Sequence, residues 1–211
     1  MPSNMKKGIE IIGLVGIPEV VPGDDLGILI LDACRHHNIT LDSGNVLVVK
    51  QKIVSKAEGM VIPLSEVIPS PMAIQIASTY EKDSRLVEMV LRESRRIVRM
   101  DRGVIIAETK HGIVCANAGV DTSNVGVSDA VCLLPRDPDV SASRIRNTLE
   151  TCTSCDLAVI VSDSIGRPWR EGIVDAAIGV SGLNPLRSYI GQKDNVGNDL
   201  KVTLVAIADE L

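Results

Sequence analysis

Aromatic side chains are nearly absent from this chain. It has no Phe, one Trp and two Tyr among 211 residues. A protein that binds single-stranded nucleic acid by stacking bases on aromatic rings needs more of them, so this class is disfavoured.

Positive charge is also scarce, because the chain has 22 Lys and Arg against 27 Asp and Glu, for a net charge of −5. Nucleic acids and anionic membranes attract basic proteins, and we therefore expect neither as a partner.

Long apolar runs and paired cysteines are lacking as well. No run approaches the roughly 18 apolar residues that a membrane-spanning helix needs. The apolar stretch 9–17 is not followed by the small-residue cleavage site of a signal peptide. Five Cys, an odd number, suit reduced thiols better than a disulfide framework. The chain has three His, too few to favour a metal centre built from several histidines. These absences predict a cytoplasmic protein.

Length and apolar content allow a single domain over residues 1–211, or two small lobes, with an aliphatic core. The helical period predicts helices over residues 26–34, 71–79, 83–96 and 138–152. Strand patterns cover residues 9–15, 45–49 with an extension over 53–54, 103–108, 113–116, 130–134, 157–161, 173–180 and 202–208. Strands outnumber helices and do not alternate strictly with them, which predicts an α+β fold with mixed sheets and packed helices.

Residues 117–124 gather Asn, Asp, Thr and Ser side chains in a short segment after a predicted strand. Mg²⁺ or Mn²⁺ bound with a phosphate needs hard oxygen ligands and small neighbouring residues, so Asp121 is a candidate ligand. The alternative is an ordinary turn in which Asn and Asp bond their own backbone, and composition alone favours it.

Residues 162–170 lie just past the predicted buried strand 157–161, at the kind of strand end where ligands tend to bind. Asp163 and Ser164 offer oxygens to a metal, while Arg167 and Arg170 suit recognition of a carboxylate or phosphate. A surface turn with solvated arginines is the alternative. Lys56, after another strand, is suited to neutralise a phosphate, although surface lysines are common.

Cys152 and Cys155 form a lone C-x-x-C pair that closes a predicted helix. Such a pair serves as a redox couple or as half of a zinc site, but zinc needs two further ligands. A structural role is the favoured interpretation. The glycine patterns of P-loop and dinucleotide-binding proteins are absent, so neither class is supported.

Several segments occur together in the order that one enzyme family shows: residues 23–26, 53–59, 118–124, 162–172 and 177–182. On these segments the chain resembles the coenzyme F420 gamma-glutamyl ligases, from about residue 9 to its last residue. Each segment alone is weak, and the joint match is specific. The resemblance implies a two-lobed α+β fold that forms an intertwined homodimer.

The resemblance also implies a GTP-dependent ligase. GTP would phosphorylate a carboxylate of the deazaflavin coenzyme F420 precursor, and the amine of L-glutamate would then displace phosphate from the acyl phosphate. The products would be a gamma-glutamyl amide, GDP and phosphate. Members of the family use two divalent ions, Mg²⁺ or Mn²⁺, and are helped by K⁺.

Carried over residue by residue, the resemblance assigns the metal to Asp121, Asp163 and Ser164, the last standing where the family often has Thr. Catalytic roles would fall to Asp121, Asp163 and Lys56. The implied nucleotide contacts are Ile17, Pro18, Glu19, Val20, Gln51, Lys52, Lys56 and Asn124. Binding of an acidic substrate by Arg167 and Arg170 is our own inference from guanidinium chemistry.

Family members continue past the position of Leu211 into a segment whose glycine-containing loop closes on the nucleotide and adds a metal ligand. We therefore expect the second metal site to be incomplete within these 211 residues. Two alternatives stay open at this point. One is a non-catalytic homologue that binds nucleotide or deazaflavin, and the other is a thiol or zinc protein that uses Cys152 and Cys155.

Overall fold

The computed structural model describes residues 8–211, in which helices and strands are interspersed. The helices are α1 (Leu26–His36), α2 (Gln51–Ala57), α3 (Pro71–Tyr80), α4 (Ser84–Glu93) and α5 (Pro138–Thr153). The strands are β1 (Val46–Lys50), β2 (Val61–Pro63), β3 (Ser94–Asp101), β4 (Val104–Thr109), β5 (Val114–Ala116), β6 (Ala130–Cys132), β7 (Ala158–Gly166), β8 (Ile173–Ser181), β9 (Arg187–Ser188) and β10 (Leu204–Val205). The predicted α+β fold is confirmed.

Helix α1 begins where the sequence predicts. The Asp25 carboxylate accepts a hydrogen bond from the Ile28 N–H, which satisfies one of the free donors of the first turn. Its apolar face, which includes Leu26, Ile30 and Leu31, is buried. The predicted helices over 71–79 and 138–152 are also confirmed, and both begin with Pro after a capping side chain, Ser70 for α3 and Asp137 for α5.

A mixed three-stranded sheet, called the central sheet below, has the order β1–β7–β8. Strand β1 pairs with β7 in parallel, and β7 pairs with β8 in antiparallel orientation. The first half of β7 is buried, as the apolar run predicts. The apolar run predicts that this strand ends at Val161, but residues 162–166 continue it, because their backbone pairs with residues 173–177 of β8.

A second sheet has the order β3–β4–β5 and contains the predicted hairpin of residues 103–116. The predicted helix over 83–96 ends at Glu93, and the next residue begins β3. The helical pattern cannot continue, since residues 94–101 pair with β4 and Ile97 faces the interior between exposed arginines. Arg96 donates to Glu108 of β4 at 2.6 Å, so that arginine lies on the sheet and not on the helix.

Two strand predictions are wrong, and a third is confirmed only in part. Residues 9–15 form no strand, and Ile9 and Ile11 are 85% and 89% exposed because no neighbouring strand pairs with them. Residues 53–54 belong to helix α2 instead of extending β1. In the segment 202–208, two residues, Leu204–Val205, form a strand, which pairs with Arg187–Ser188.

The buried apolar side chains form two large clusters. One packs α1, α2 and α5 against β1 and β7, with Leu149, Val159 and Val161 at its centre. The other packs α3 and α4 against β4 and β6, around Val87 and Ile105. Helix α2 lies between them, because Val54 belongs to the first cluster while the Gln51 amide donates to the Leu133 carbonyl of the second. In the described part of the chain, every helix is too short or too polar to span a lipid bilayer.

Candidate functional site

Helix α2 presents two lysines on one face. Lys52 and Lys56 are four residues apart, which places their side chains one above the other. The helix starts directly after β1, at the carboxyl end of the parallel β1–β7 pair, where ligands commonly bind in sheets of this kind. Both lysine side chains are largely covered, with 14% and 10% exposed. Ammonium groups so poorly hydrated need negative partners.

Asp121 is the partner of Lys52. The Lys52 Nζ lies 2.6 Å from Asp121 Oδ2 and also donates to the Ser123 carbonyl. The Ser123 N–H donates to Asp121 Oδ1 at 2.7 Å. The backbone of Asp121 is fixed in turn, because it exchanges both N–H···O bonds with Cys132 of β6. The predicted loop ligand is therefore held rigidly beside the predicted nucleotide lysine.

The turn before Asp121 is strained. Asn117, Ala118 and Gly119 all have positive φ, between 51° and 73°. For the two non-glycine residues this left-handed conformation costs about 1 kcal/mol or more each. A Cβ at Gly119 would lie 2.7 Å from Leu134 Cγ, so close packing requires glycine there. Strain that the surrounding fold maintains is typical of functional loops.

Asp163 lies on β7, and its carboxylate interacts with that of Asp121. Burial raises the pKa of Asp163; the Ser164 N–H bond opposes this, while the negative charge of Asp121 raises the pKa further. Burial would also raise the pKa of Asp121, but hydrogen bonds from Lys52 and Ser123 outweigh it and leave that pKa below its usual value. The Asp121 carboxylate thus has a cationic partner in Lys52, whereas the Asp163 carboxylate is repelled by Asp121.

Two repelling carboxylates of this kind fit a divalent cation. Mg²⁺ in phosphate sites is commonly held by one or two carboxylates, with waters and phosphate oxygens completing its coordination. Within residues 8–211, no group of three His, Cys, Asp or Glu side chains converges as a ready-made metal site. Asp121 and Asp163 would hold such an ion together with oxygens from its ligand.

The side chains of Asp163 and Ser164 face opposite sides of the sheet, because successive side chains of a strand alternate between its two faces. The Ser164 hydroxyl donates to Asp175 Oδ1 of β8 at 2.6 Å, and these two residues are direct cross-strand partners. The metal-binding role of Ser164 stays a prediction. Sequence reasoning missed Asp175, although a carboxylate inside the apolar pattern of β8 was a usable signal.

In the segment 17–20, which is predicted to contact the nucleotide, two side chains pack into the core and one extends toward helix α2. Ile17 and Val20 pack against the first apolar cluster. Glu19 extends to Lys56, with Oε1 2.5 Å from Nζ. Pro18 is exposed.

Two other predicted nucleotide contacts differ in their surroundings. Gln51 is 4% exposed, and its amide also donates to the Ser55 hydroxyl, so its side chain supports packing. Asn124 is exposed in the same loop as Asp121, with φ of 54°.

The predicted arginines lie in the turn between β7 and β8. The Arg167 guanidinium donates to the Glu171 carbonyl, while Arg170 and Trp169 are exposed. In the described part of the chain, neither arginine bonds to the lysine–carboxylate cluster.

The cysteines are not arranged as a zinc site in residues 8–211. Cys155 Sγ lies 3.1 Å from the Leu41 carbonyl, and Cys152 is exposed. Sequence reasoning missed Cys115 as a neighbour of the site. Burial, with the charge of Asp163, raises the pKa of this thiol to about 11.

Comparison with known proteins gives a consistent result. The sequence model of one family, described as F420-0:Gamma-glutamyl ligase, matches residues 15–211. A coenzyme F420:L-glutamate ligase of Methanothermobacter thermautotrophicus is 49% identical over 97% of this chain and 81% of its own length. The ligases of the same name from Methanocaldococcus jannaschii and Methanopyrus kandleri are 43% and 46% identical, over 98% and 92% of this chain and 80% and 74% of their own lengths.

These matches show that the chain is an enzyme and that it is a ligase. More specifically, the chain belongs to the F420-0:gamma-glutamyl ligase family. The resemblance drawn from the sequence segments is confirmed.

Proposed function

We propose that this protein is a cytoplasmic ligase that adds L-glutamate to a carboxylate of the coenzyme F420 precursor, with GTP as the phosphoryl donor. Its relatives are named for the addition of L-glutamate to this coenzyme. The observation that carries the GTP-dependent chemistry is the Lys52–Asp121 ion pair beside Asp163, with the largely covered Lys56 ammonium one turn further along α2. Ammonium groups suit phosphate oxygens, and paired carboxylates suit the Mg²⁺ or Mn²⁺ that accompanies a nucleotide. K⁺ remains a proposed activator.

Amide formation from a carboxylate requires activation, since hydroxide is a poor leaving group. In the proposed sequence, an oxygen of the substrate carboxylate attacks the γ-phosphorus of GTP, and the bond to GDP breaks. The L-glutamate nitrogen then attacks the acyl phosphate, loses a proton and expels phosphate. Lys52 and Lys56 contribute by binding phosphoryl oxygens, whose negative charge is redistributed during transfer.

Divalent ions, held by Asp121 and Asp163 and in the proposal also by Ser164, would neutralise phosphate charge when bound. The chain itself contributes positioning. The strained turn at 117–119 and the Asp121–Cys132 backbone pairing fix one carboxylate, and strand β7 fixes the other. Groups held in place before the ligand arrives need little reorganisation during the reaction.

Arg167 and Arg170 are proposed to bind the acidic substrate. Net charge is negative overall, so an anionic substrate depends on local positive groups. The guanidinium groups lie in the turn that follows the strand carrying Asp163.

We also propose a homodimer. Supporting it, apolar side chains of two separate segments are strongly exposed: Ile9 and Ile11 near the start, and Val196 and Val202 near the end. Apolar surface of this kind often marks an interface. Sedimentation equilibrium on the full chain tests the proposal, and a monomer at micromolar concentration contradicts it.

The decisive experiment is a calorimetric titration of GTP into the 211-residue chain with Mn²⁺ present. We expect binding that requires the metal, that ATP does not reproduce, and that an Asp121→Asn variant loses. Asp32→Asn, an exposed change on α1 with the same loss of charge, is the matched control. Binding by wild type that is equally strong without Mn²⁺ contradicts the metal assignment.

Turnover separates catalysis from binding alone. Phosphate release from GTP is measured with the F420 precursor and L-glutamate together, and with each omitted. Release that requires both substrates supports the ligase. Tight GTP binding without release under any of these conditions supports the non-catalytic homologue.

A further inference from the structure

The Glu19–Lys56 ion pair is strongly asymmetric. The Lys56 side chain is 10% exposed, whereas that of Glu19 is 70% exposed. Among the described residues, Glu19 is the one hydrogen-bond partner of the Lys56 ammonium. An ammonium that is largely removed from water is costly without an anion beside it. In this pair, the cation is fixed in the protein and the anion comes from the surface.

The two carboxylates that hold the α2 lysines also differ in how firmly they are held. Asp121 is fixed by its backbone pairing with Cys132 and by Ser123. Glu19 belongs to a segment without helix or strand, and its neighbours Ile17 and Val20 anchor that segment to the core. The Glu19 side chain is therefore free to leave Lys56 while the backbone around it stays in place.

Gly126 shows that the pair lies against the loop that carries Asp121. A Cβ at this position would be 3.1 Å from Glu19 Oε1 and 3.6 Å from Lys56 Nζ. Its φ of +86° also favours glycine. The Glu19 carboxylate thus occupies the space between α2 and this loop, directly on the ammonium that the proposed function assigns to a nucleotide phosphate.

We propose that Glu19 is a displaceable counterion: it neutralises Lys56 in the empty site, and phosphate oxygens of the nucleotide replace it. This inference rests on the proposed function. Glu19 is then a positioning residue, which keeps the Lys56 side chain extended into the site, and it opposes nucleotide binding instead of assisting it. A second anion cannot occupy the same face of the ammonium until the carboxylate moves away.

The test is a comparison of GTP affinities in the full chain, by calorimetry with Mn²⁺, of wild type, Glu19→Gln and Glu10→Gln. Glu10 is exposed on the same N-terminal segment, so it controls for the change in net charge. We expect Glu19→Gln to bind GTP roughly twofold to fivefold more tightly, the range set by loss of a partly exposed ion pair. Glu10→Gln should match wild type. Circular dichroism verifies that each variant is folded.

A double variant makes the result specific to Lys56. In a Lys56→Met background, Glu19→Gln should give no gain, because no ammonium is left to release. Weaker binding by Glu19→Gln, or affinity equal to that of Glu10→Gln, overturns the inference, and so does a gain that persists with Lys56→Met. Failure of wild type to bind GTP instead overturns the proposed function, and the inference with it.

Discussion

Gly179 of β8 lies against the backbone of Pro138, the first residue of α5. A Cβ built on Gly179 would be 2.3 Å from the Pro138 carbonyl carbon and 2.4 Å from its oxygen. This contact joins the central sheet to α5 at the point where Asp139 accepts a hydrogen bond from the Val180 N–H. The helix and strand can approach this closely because glycine has no side chain.

Gly179→Ala should therefore destabilise the protein. The neighbouring atoms belong to backbone, which cannot move aside easily, and we expect a loss of about 2 kcal/mol or more in the free energy of unfolding. Urea denaturation measures it. Gly13→Ala is the control, since no atom lies within 4 Å of the position its Cβ would take. Equal midpoints for the two variants would show that the sheet and helix separate without cost.

The second prediction concerns acid stability and Glu88. Hydrogen bonds from Ser70, together with Arg92, lower the pKa of Glu88 from 4.5 to about 2. A lowered folded-state pKa means that the carboxylate stabilises the fold above pH 4.5 and that this stabilisation disappears as pH falls toward 2. Glu88→Gln should cost about 1 kcal/mol at pH 7, and the difference from wild type should shrink at pH 3. Urea unfolding at both pH values tests this. Glu66→Gln, exposed, should show no such convergence.

Asp163→Asn should separate stability from cation binding. The variant removes a half-buried carboxylate that Asp121 repels, so in EDTA its melting temperature should equal or exceed that of wild type. Adding Mn²⁺ should raise the wild-type melting temperature and leave the variant unchanged, because a ligand stabilises the state that binds it. Asp32→Asn should respond to Mn²⁺ like wild type. A variant that is strongly destabilised in EDTA would contradict the repulsion.

The proposed substrate arginines predict a kinetic result. Arg167→Met and Arg170→Met should each raise the apparent KM for the acidic substrate by roughly tenfold, the usual effect of losing a charged hydrogen bond, with a smaller change in kcat. Initial rates of GDP formation measure both constants. Arg102→Met, in the exposed turn between β3 and β4, controls for charge. Unchanged kinetics in both turn variants would exclude these arginines from substrate binding.

Elements with a strong local signal were predictable. Helix α1 has a capping Asp and a buried apolar face, and the 103–116 hairpin has two strand patterns around a glycine-containing turn. Short elements were not. Helix α2 has seven residues, too few to establish a period, and its β-branched Ile53 and Val54 favour a strand locally. Residues 9–15 have strand composition, but a strand needs a partner, and local sequence does not encode one.

The residue types of the candidate site were predictable from the sequence, whereas the contacts between them were not. Asp121, Asp163, Lys52 and Lys56 were each identified from residue type and family resemblance; the structure places Lys52 and Asp163 near Asp121, while Lys56 pairs with Glu19. Their pairing was not predictable, since 69 residues separate Lys52 from Asp121. The bond between Ser164 and Asp175 depends on the β7–β8 register, which the apolar pattern does not specify.

The parallel pairing of β1 with β7 has a consequence for the order of folding. Sheet β3–β4–β5 joins strands that are consecutive in the sequence, and such local contacts form quickly. Strand β1 pairs with β7, which lies more than a hundred residues further along the chain. Contacts between residues so distant in sequence form slowly. Lys52 and Lys56 follow β1, and Asp163 is part of β7, so the proposed ligand site is complete only after this long-range pairing has formed. A nucleotide bound there would hold the central sheet closed and retard its opening more than that of the β3–β4–β5 sheet.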